Sequence, residues 1–128
     1  MAGALVKEIK QLFDALDRQD HEAIIRSAAR DIQIVDEVAR RWLRGIDVID
    51  SYLQQMVGMV GEIHSTISDI HETVQGDLGL VTCWLEQDYT LEGRPTHSSA
   101  PTTIAFRRES GGWKALLFHS VTLPPEET

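Results

Sequence analysis

Two side chains combine acid–base chemistry with an apolar setting, Asp36 and His119. Asp36 lies in the run Asp31-Ile32-Gln33-Ile34-Val35-Asp36-Glu37, whose β-branched residues and rough alternation predict a strand. On an extended backbone Ile32, Ile34 and Asp36 point the same way, so a carboxylate ends an apolar face. Burial disfavours the charged form of a carboxylate and makes it a stronger base. Such a group can take an activated C–H proton or position a water. Its structural alternative is to cap a turn or to pair with Arg40, Arg41 or Arg44. His119 lies in the run Trp113-Lys114-Ala115-Leu116-Leu117-Phe118-His119-Ser120-Val121, and imidazole titrates near neutrality. Simple alternation groups His119 with Ala115, Leu117 and Val121, and puts Leu116 and Phe118 on the other face. A strand apolar on both faces needs two covers. What lies over His119 decides whether it is a core residue or a pocket residue.

The remaining candidates are weaker in kind. His64 and His71 are seven residues apart, so in a strand without a bulge they face opposite ways. His97 has the opposite parity to Ser98, Ala100 and Thr102 and is expected to point outward. Asp36, His64 and His119 would suit zinc or iron chemically. They fall on three separated strands with no short-range ligand motif, so no metal site is expected. Cys83 has nothing beside it in sequence to activate a thiolate. No glycine-rich nucleotide-binding motif occurs, and no cofactor is expected.

The elements that must position these groups are legible from periodicity. Leu5, Ile9, Leu12, Phe13 and Leu16 make one apolar helix face. Asp20 is placed as the N-cap of a short second helix holding Ile24, Ile25 and Ala28. After the Asp36 strand, Val38 to Arg44 is a connection or short strand, and Gly45 precedes a third helix. There Ile46, Ile49, Tyr52, Leu53, Met56 and Val60 share a face, with Gly58 and Gly61 weakening and then ending it. From Glu62 onward the texture is that of four long strands, with turns at Gly76-Asp77, at Glu92-Gly93-Arg94-Pro95 and at Ser110-Gly111-Gly112. Helices gathered on one face of an antiparallel sheet make an α+β domain. A curved sheet wrapped around three helices encloses a cone whose mouth suits a small ligand.

The chain has 128 residues, 42% of them hydrophobic, and a formal net charge of −8. That length predicts a single domain, residues 1–128, with a frayed polar tail at 124–128. The acidic balance argues against nucleic acid as a partner. No apolar run approaches the ~20 residues of a membrane span, and no signal peptide is visible. The lone Cys83 suits a reducing cytoplasm.

Several segments carry a family resemblance. Leu12-Phe13-Asp14-Ala15-Leu16-Asp17-Arg18-Gln19-Asp20, the Asp31–Asp36 strand, Gly45 opening a helix and Gly76-Asp77 between strands resemble NTF2-like proteins. The ending Gly112-Trp113-Lys114-Ala115-Leu116-Leu117-Phe118-His119-Ser120 resembles the SnoaL-like branch. The likeness covers about residues 5–123 and implies an NTF2-like cone. The superfamily includes ketosteroid isomerases, polyketide cyclases, epoxide hydrolases, dehydratases and non-catalytic binding modules, so the fold alone does not settle function.

In the ketosteroid isomerase-like branch the position matching Asp36 is the general base. The resemblance also implies that His119 points at the cavity, and that His64 rather than His71 does so. The departures are informative. Leu12 stands where that branch has an oxyanion-hole Tyr, and Thr102 or Ile104 where it has a protonated Asp. Neither Leu nor Ile donates a hydrogen bond, so steroid isomerisation by that route is not expected. Phe13, Trp42, Tyr52, Met56, Leu85, Tyr89 and Leu117 are expected to line the cavity or pack as core. The expected function is a cofactor-independent acid–base enzyme on a small hydrophobic molecule, with Asp36 and His119 catalytic, or a non-catalytic binding or dimerisation module. Trp84, Leu116 and Phe118, on the opposite face, are expected to form a sheet-to-sheet homodimer.

Overall fold

The computed structural model describes residues 3–35 and 38–124. Helix α1 (Ala4–Arg18) and helix α2 (His21–Arg26) precede strands β1 (Ala28–Val35) and β2 (Leu43–Arg44). Helix α3 (Ile46–Met56) then leads into β3 (Val60–Gln75), β4 (Leu78–Leu91), β5 (Arg94–Glu109) and β6 (Gly112–Ser120). The strands form one curved, unclosed sheet in the order β2-β1-β6-β5-β4-β3. Strands β3 to β6 form an antiparallel meander, while β1 runs parallel to β6. The expected α+β cone is the observed architecture.

The apolar stripe of α1 buries Leu5, Ile9, Leu12 and Phe13, which pack with Val81, Leu85, Ile104 and Phe106 of the sheet and with Ile32, Leu43 and Ile49. Asp20 caps α2, accepting the Ala23 amide at 3.2 Å. Helix α3 ends at Met56, and Val60 opens β3 instead of extending the helix face. Gly112 closes the last hairpin at φ 112°, a conformation L side chains rarely adopt.

Helix α1 has no cap of its own, because Gly3 occupies its N-cap. Glu72 of β3 supplies the function, its Oε1 accepting the Gly3 and Val6 amides at 3.2 Å each. A carboxylate there satisfies orphan donors and opposes the helix dipole. At the other end Asp17 binds β3 through Ser65, and Gln19 donates to the Val60 carbonyl at 2.9 Å.

Bulges on β3 and β6 bend the sheet and reset the facing of its residues. On β3 the register to β4 shifts between Gly61 and His64 and again between Ser68 and His71, with Glu62 and Asp69 both at φ 51°. On β6 the pairs Ala105↔Leu117 and Phe106↔Ala115 leave Leu116 without an opposite residue. An unpaired residue bends a strand and reverses the alternation beyond it.

On the outer face His97 sits between two carboxylates, its Nδ1 2.8 Å from Asp88 and its Nε2 3.2 Å from Glu86. Glu86 also accepts Trp84 Nε1 at 3.2 Å and the Ser99 hydroxyl. The hydrogen bond to Asp88, reinforced by the charges of Asp88 and Glu86, raises the His97 pKa above its ordinary value. A raised folded pKa means stability that is complete below the unfolded value, about 6.5, and lost as pH rises through the folded value. The Tm gap between wild type and His97→Asn is therefore expected to be widest near about pH 5.5 and to close in the alkaline range. A gap that stays constant in thermal melts across that range contradicts the assignment.

Candidate functional site

The sheet's concave face and the three helices enclose a cavity of about 190 Å³. Its wall is largely aliphatic and aromatic: Leu12 and Leu16 of α1, Ile24 of α2, Ile32 and Ile34 of β1, Tyr52 and Met56 of α3, Leu85 and Tyr89 of β4, and Phe118 of β6. For scale, an apolar cavity on the order of 150 Å³ takes up benzene. The space therefore suits a molecule of one or two rings. No lysine or arginine is among the described residues lining it.

Polar groups enter the wall at a few points. Ser98 and Ser120 are buried on the inward faces of β5 and β6. Thr102 donates to the Ala100 carbonyl at 3.2 Å, which leaves Ser120 to donate to Thr102 at 2.9 Å. Gln87 lines the cavity and donates through Nε2 to Ser65 Oγ at 3.0 Å. Ser65 in turn gives its hydroxyl proton to Asp17 Oδ1 at 2.6 Å and its amide to Asp17 Oδ2 at 2.9 Å. His21, the first residue of α2, is the titratable imidazole on the wall among the described residues.

Residues 6–123 match the model of the SnoaL-like domain. The chain belongs to the SnoaL-like family. A candidate dehydratase of the NTF2-like family from Streptomyces avermitilis is 20% identical, with a TM-score of 0.85 and coverage of 94% of each chain. A candidate aromatic ring hydroxylase from Novosphingobium aromaticivorans is 17% identical, with a TM-score of 0.86, over 95% of this chain and 88% of its own. A ketosteroid isomerase-like protein from Erwinia carotovora atroseptica is 18% identical, with a TM-score of 0.78 and coverage of 93% of each chain. At these identities the likeness shows the fold. No curated protein sequence gives a significant match.

In this SnoaL-like domain the expected site residues separate into two groups. Tyr52, Met56, Leu85 and Tyr89 line the cavity. Phe13 is buried behind it, 5.9 Å from the Phe118 ring. Asp36 lies outside the described residues; Ile32 and Ile34, which precede it at alternate positions, are on the wall.

The rest is corrected by the bulges. Because Leu116 is unpaired, Ala115, Phe118 and Ser120 face inward while Leu117 and His119 face away. His119 is exposed and stacks on Trp42, ring centroids 5.9 Å apart and 14° from parallel. Trp42 is itself 42% exposed and carries the Arg44 guanidinium 5.6 Å from its centroid, so it is no cavity residue. Phe118 and Leu116 are likewise not an outward pair with Trp84, since Phe118 lines the cavity. The bulge at Asp69 removes the choice between His64 and His71: both are exposed on the outer side of β3.

At the three positions that the resemblance matches to the ketosteroid isomerase oxyanion donors, the described residues offer no free hydrogen-bond donor. Leu12 is on the cavity wall, Ile104 is fully buried, and the Thr102 hydroxyl is committed to Ala100 and Ser120. Burial pushes the Cys83 thiol up to about 11, so it is not a nucleophile at neutral pH. Sequence reasoning missed His21, Gln87 and Ser98. Parity alone could have found Gln87 and Ser98, because each is two residues from a buried inward neighbour, Leu85 and Ala100.

Proposed function

We propose that this SnoaL-like protein binds a small, neutral, largely hydrophobic molecule in the cavity between sheet and helices. The observation that carries the reading is the cavity itself: about 190 Å³, apolar over most of its wall, with no lysine or arginine among the described lining residues. Pockets of this character hold their ligands by apolar burial and orient them with a few polar groups. Naphthalene is the simplest probe of that size. Wild-type protein is expected to bind it in calorimetry. Ala28→Phe, which fills the wall between α2 and β1, is expected to weaken binding at least about tenfold, a loss of about 1.4 kcal/mol. Equal binding by both proteins contradicts the cavity reading.

A second reading, cofactor-independent acid–base catalysis of the isomerase, cyclase, dehydratase or hydrolase kind, is favoured by two observations. His21 lies on the wall, and Asp36 follows Ile34, a wall residue, by two positions. Asp36 would take a proton from carbon and return one from solvent. In D₂O the protein is expected to speed α-proton exchange of 2-tetralone, read by NMR, and Asp36→Asn to lower that rate by about a hundredfold. Absence of any acceleration favours a non-catalytic binding module. This reading gives no role to His119, which is exposed and stacked on Trp42.

A homodimer through the outer sheet face is proposed on Leu80 and Trp84, since Phe118 faces the other way. Among the described residues no helix is long and apolar enough to cross a membrane. A cytoplasmic setting is proposed on the single, buried, unpaired Cys83.

A further inference from the structure

Three strands place polar residues side by side on the inner face. Ser65 of β3 is directly opposite Gln87 of β4, and Gln87 is directly opposite Ser98 of β5. Directly opposed side chains in antiparallel pairs share a face with Cβ atoms about 5 Å apart. Asp17 of α1 stands behind this row and sets its polarity. A carboxylate only accepts, so both Ser65 donors, the amide and the hydroxyl, go to Asp17. The Ser65 oxygen must then accept, and the partner it accepts from is Gln87 Nε2 at 3.0 Å. That fixes the orientation of the amide and turns Gln87 Oε1 away from Ser65.

Oε1 has no hydrogen-bond donor among the described residues. Ser98 is 3% exposed, lines the cavity, and its hydroxyl has no hydrogen-bond partner among the described residues. Among the described residues no sealed side-chain nitrogen or oxygen lacks a partner, so the unpaired Ser98 hydroxyl opens onto the cavity, where a ligand can complete its hydrogen bonding. One acceptor and one donor–acceptor thus sit next to each other on an otherwise apolar wall.

We infer that Gln87 and Ser98 form the polar anchor of the cavity and select a neutral ligand bearing one hydroxyl group, a phenol or an alcohol, over the bare hydrocarbon. The ligand hydroxyl donates to Gln87 Oε1 and accepts from Ser98 Oγ. Ser65 and Asp17 are positioning residues that hold the Gln87 amide in the accepting orientation. An anion is disfavoured, because Oε1 only accepts and the Asp17 carboxylate lies one hydroxyl further back. The inference rests on the cavity reading above and adds its ligand class.

The test compares 2-naphthol with naphthalene, by calorimetry, in wild type, Ser98→Ala, Gln87→Met and Ser65→Ala. The readout is the ratio of the two affinities within each protein, which a general loss of stability does not change. The ratio is expected to fall about tenfold in Ser98→Ala and in Gln87→Met. Ser65→Ala is expected to lower it a few-fold by freeing the amide to turn. Should Gln87→Met not fold, Ser98→Ala decides alone. A ratio unchanged in Ser98→Ala overturns the anchor and leaves the cavity reading standing. If wild type binds neither probe, the cavity reading fails and the anchor with it.

Discussion

Phe118→Asp is expected to unfold the protein, with a loss of about 3 kcal/mol or more. The ring lies 5.9 Å from Phe13, packs against the core cluster and forms part of the cavity wall. An aspartate there is a charge without a described cationic partner beside it. His119→Asp, one residue on, lies at the exposed face and is expected to shift stability by no more than about 0.5–1 kcal/mol. The pair tests the Leu116 bulge directly, because straight alternation from Ala115 reverses the two outcomes. Urea denaturation of both variants checks it. A folded Phe118→Asp protein that sediments as a monomer would restore Phe118 to an outer interface. Trp84→Asp is the variant that probes the proposed dimer, and it is expected to give a folded monomer in sedimentation.

Gly79→Ala is expected to destabilise by about 1–3 kcal/mol. Gly79 is buried on β4, and a Cβ built on it overlaps Leu5 Cδ1 of α1. Leu5 is itself fully buried, so its side chain has little room to give way. Alanine loses less chain entropy than glycine on folding, about 0.5–1 kcal/mol in its favour, which does not offset the overlap. The decisive measurement is a double-mutant cycle in urea. Leu5→Ala alone is expected to cost about 2–5 kcal/mol, and the double variant to cost clearly less than the sum. Simple additivity would mean that α1 does not rest on Gly79.

What could be read from the residues follows from which forces are local. The stripe Leu5, Ile9, Leu12, Phe13 and Leu16 needs only the helical period, and the Asp20 cap only three residues of context. The order of elements and the cone follow from the same local signals. The facing of β6 does not. Nothing in Lys114-Ala115-Leu116-Leu117 marks Leu116 as unpaired; the bulge arises from how β6 meets β5 and runs parallel to β1. One such residue moved His119 from the cavity to the outer face and Phe118 the other way. Trp42 was misplaced for a related reason. Its partner His119 is brought close by the pairing of Val35 with His119, a contact between distant parts of the chain. On β3, Asp69 at φ 51° carried a faint signal, since Asp tolerates the left-handed region better than most residues. The site was therefore legible as a cavity with Tyr52, Met56, Leu85 and Tyr89 on its wall, but not in its polar groups.

The two-ended attachment of α1 to β3 has a meaning for the order of assembly. The helix is made before the sheet, and the residues that finish it, Ser65 and Glu72, are separated from their α1 partners by 48 to 69 positions. During synthesis α1 has neither its cap nor its sheet until β3 has emerged. Its amphipathic face then stays exposed for the time needed to make about half the chain, at roughly 5–20 residues per second. Helix and strand consequently settle together, and the wall they share with the cavity forms late and as one piece.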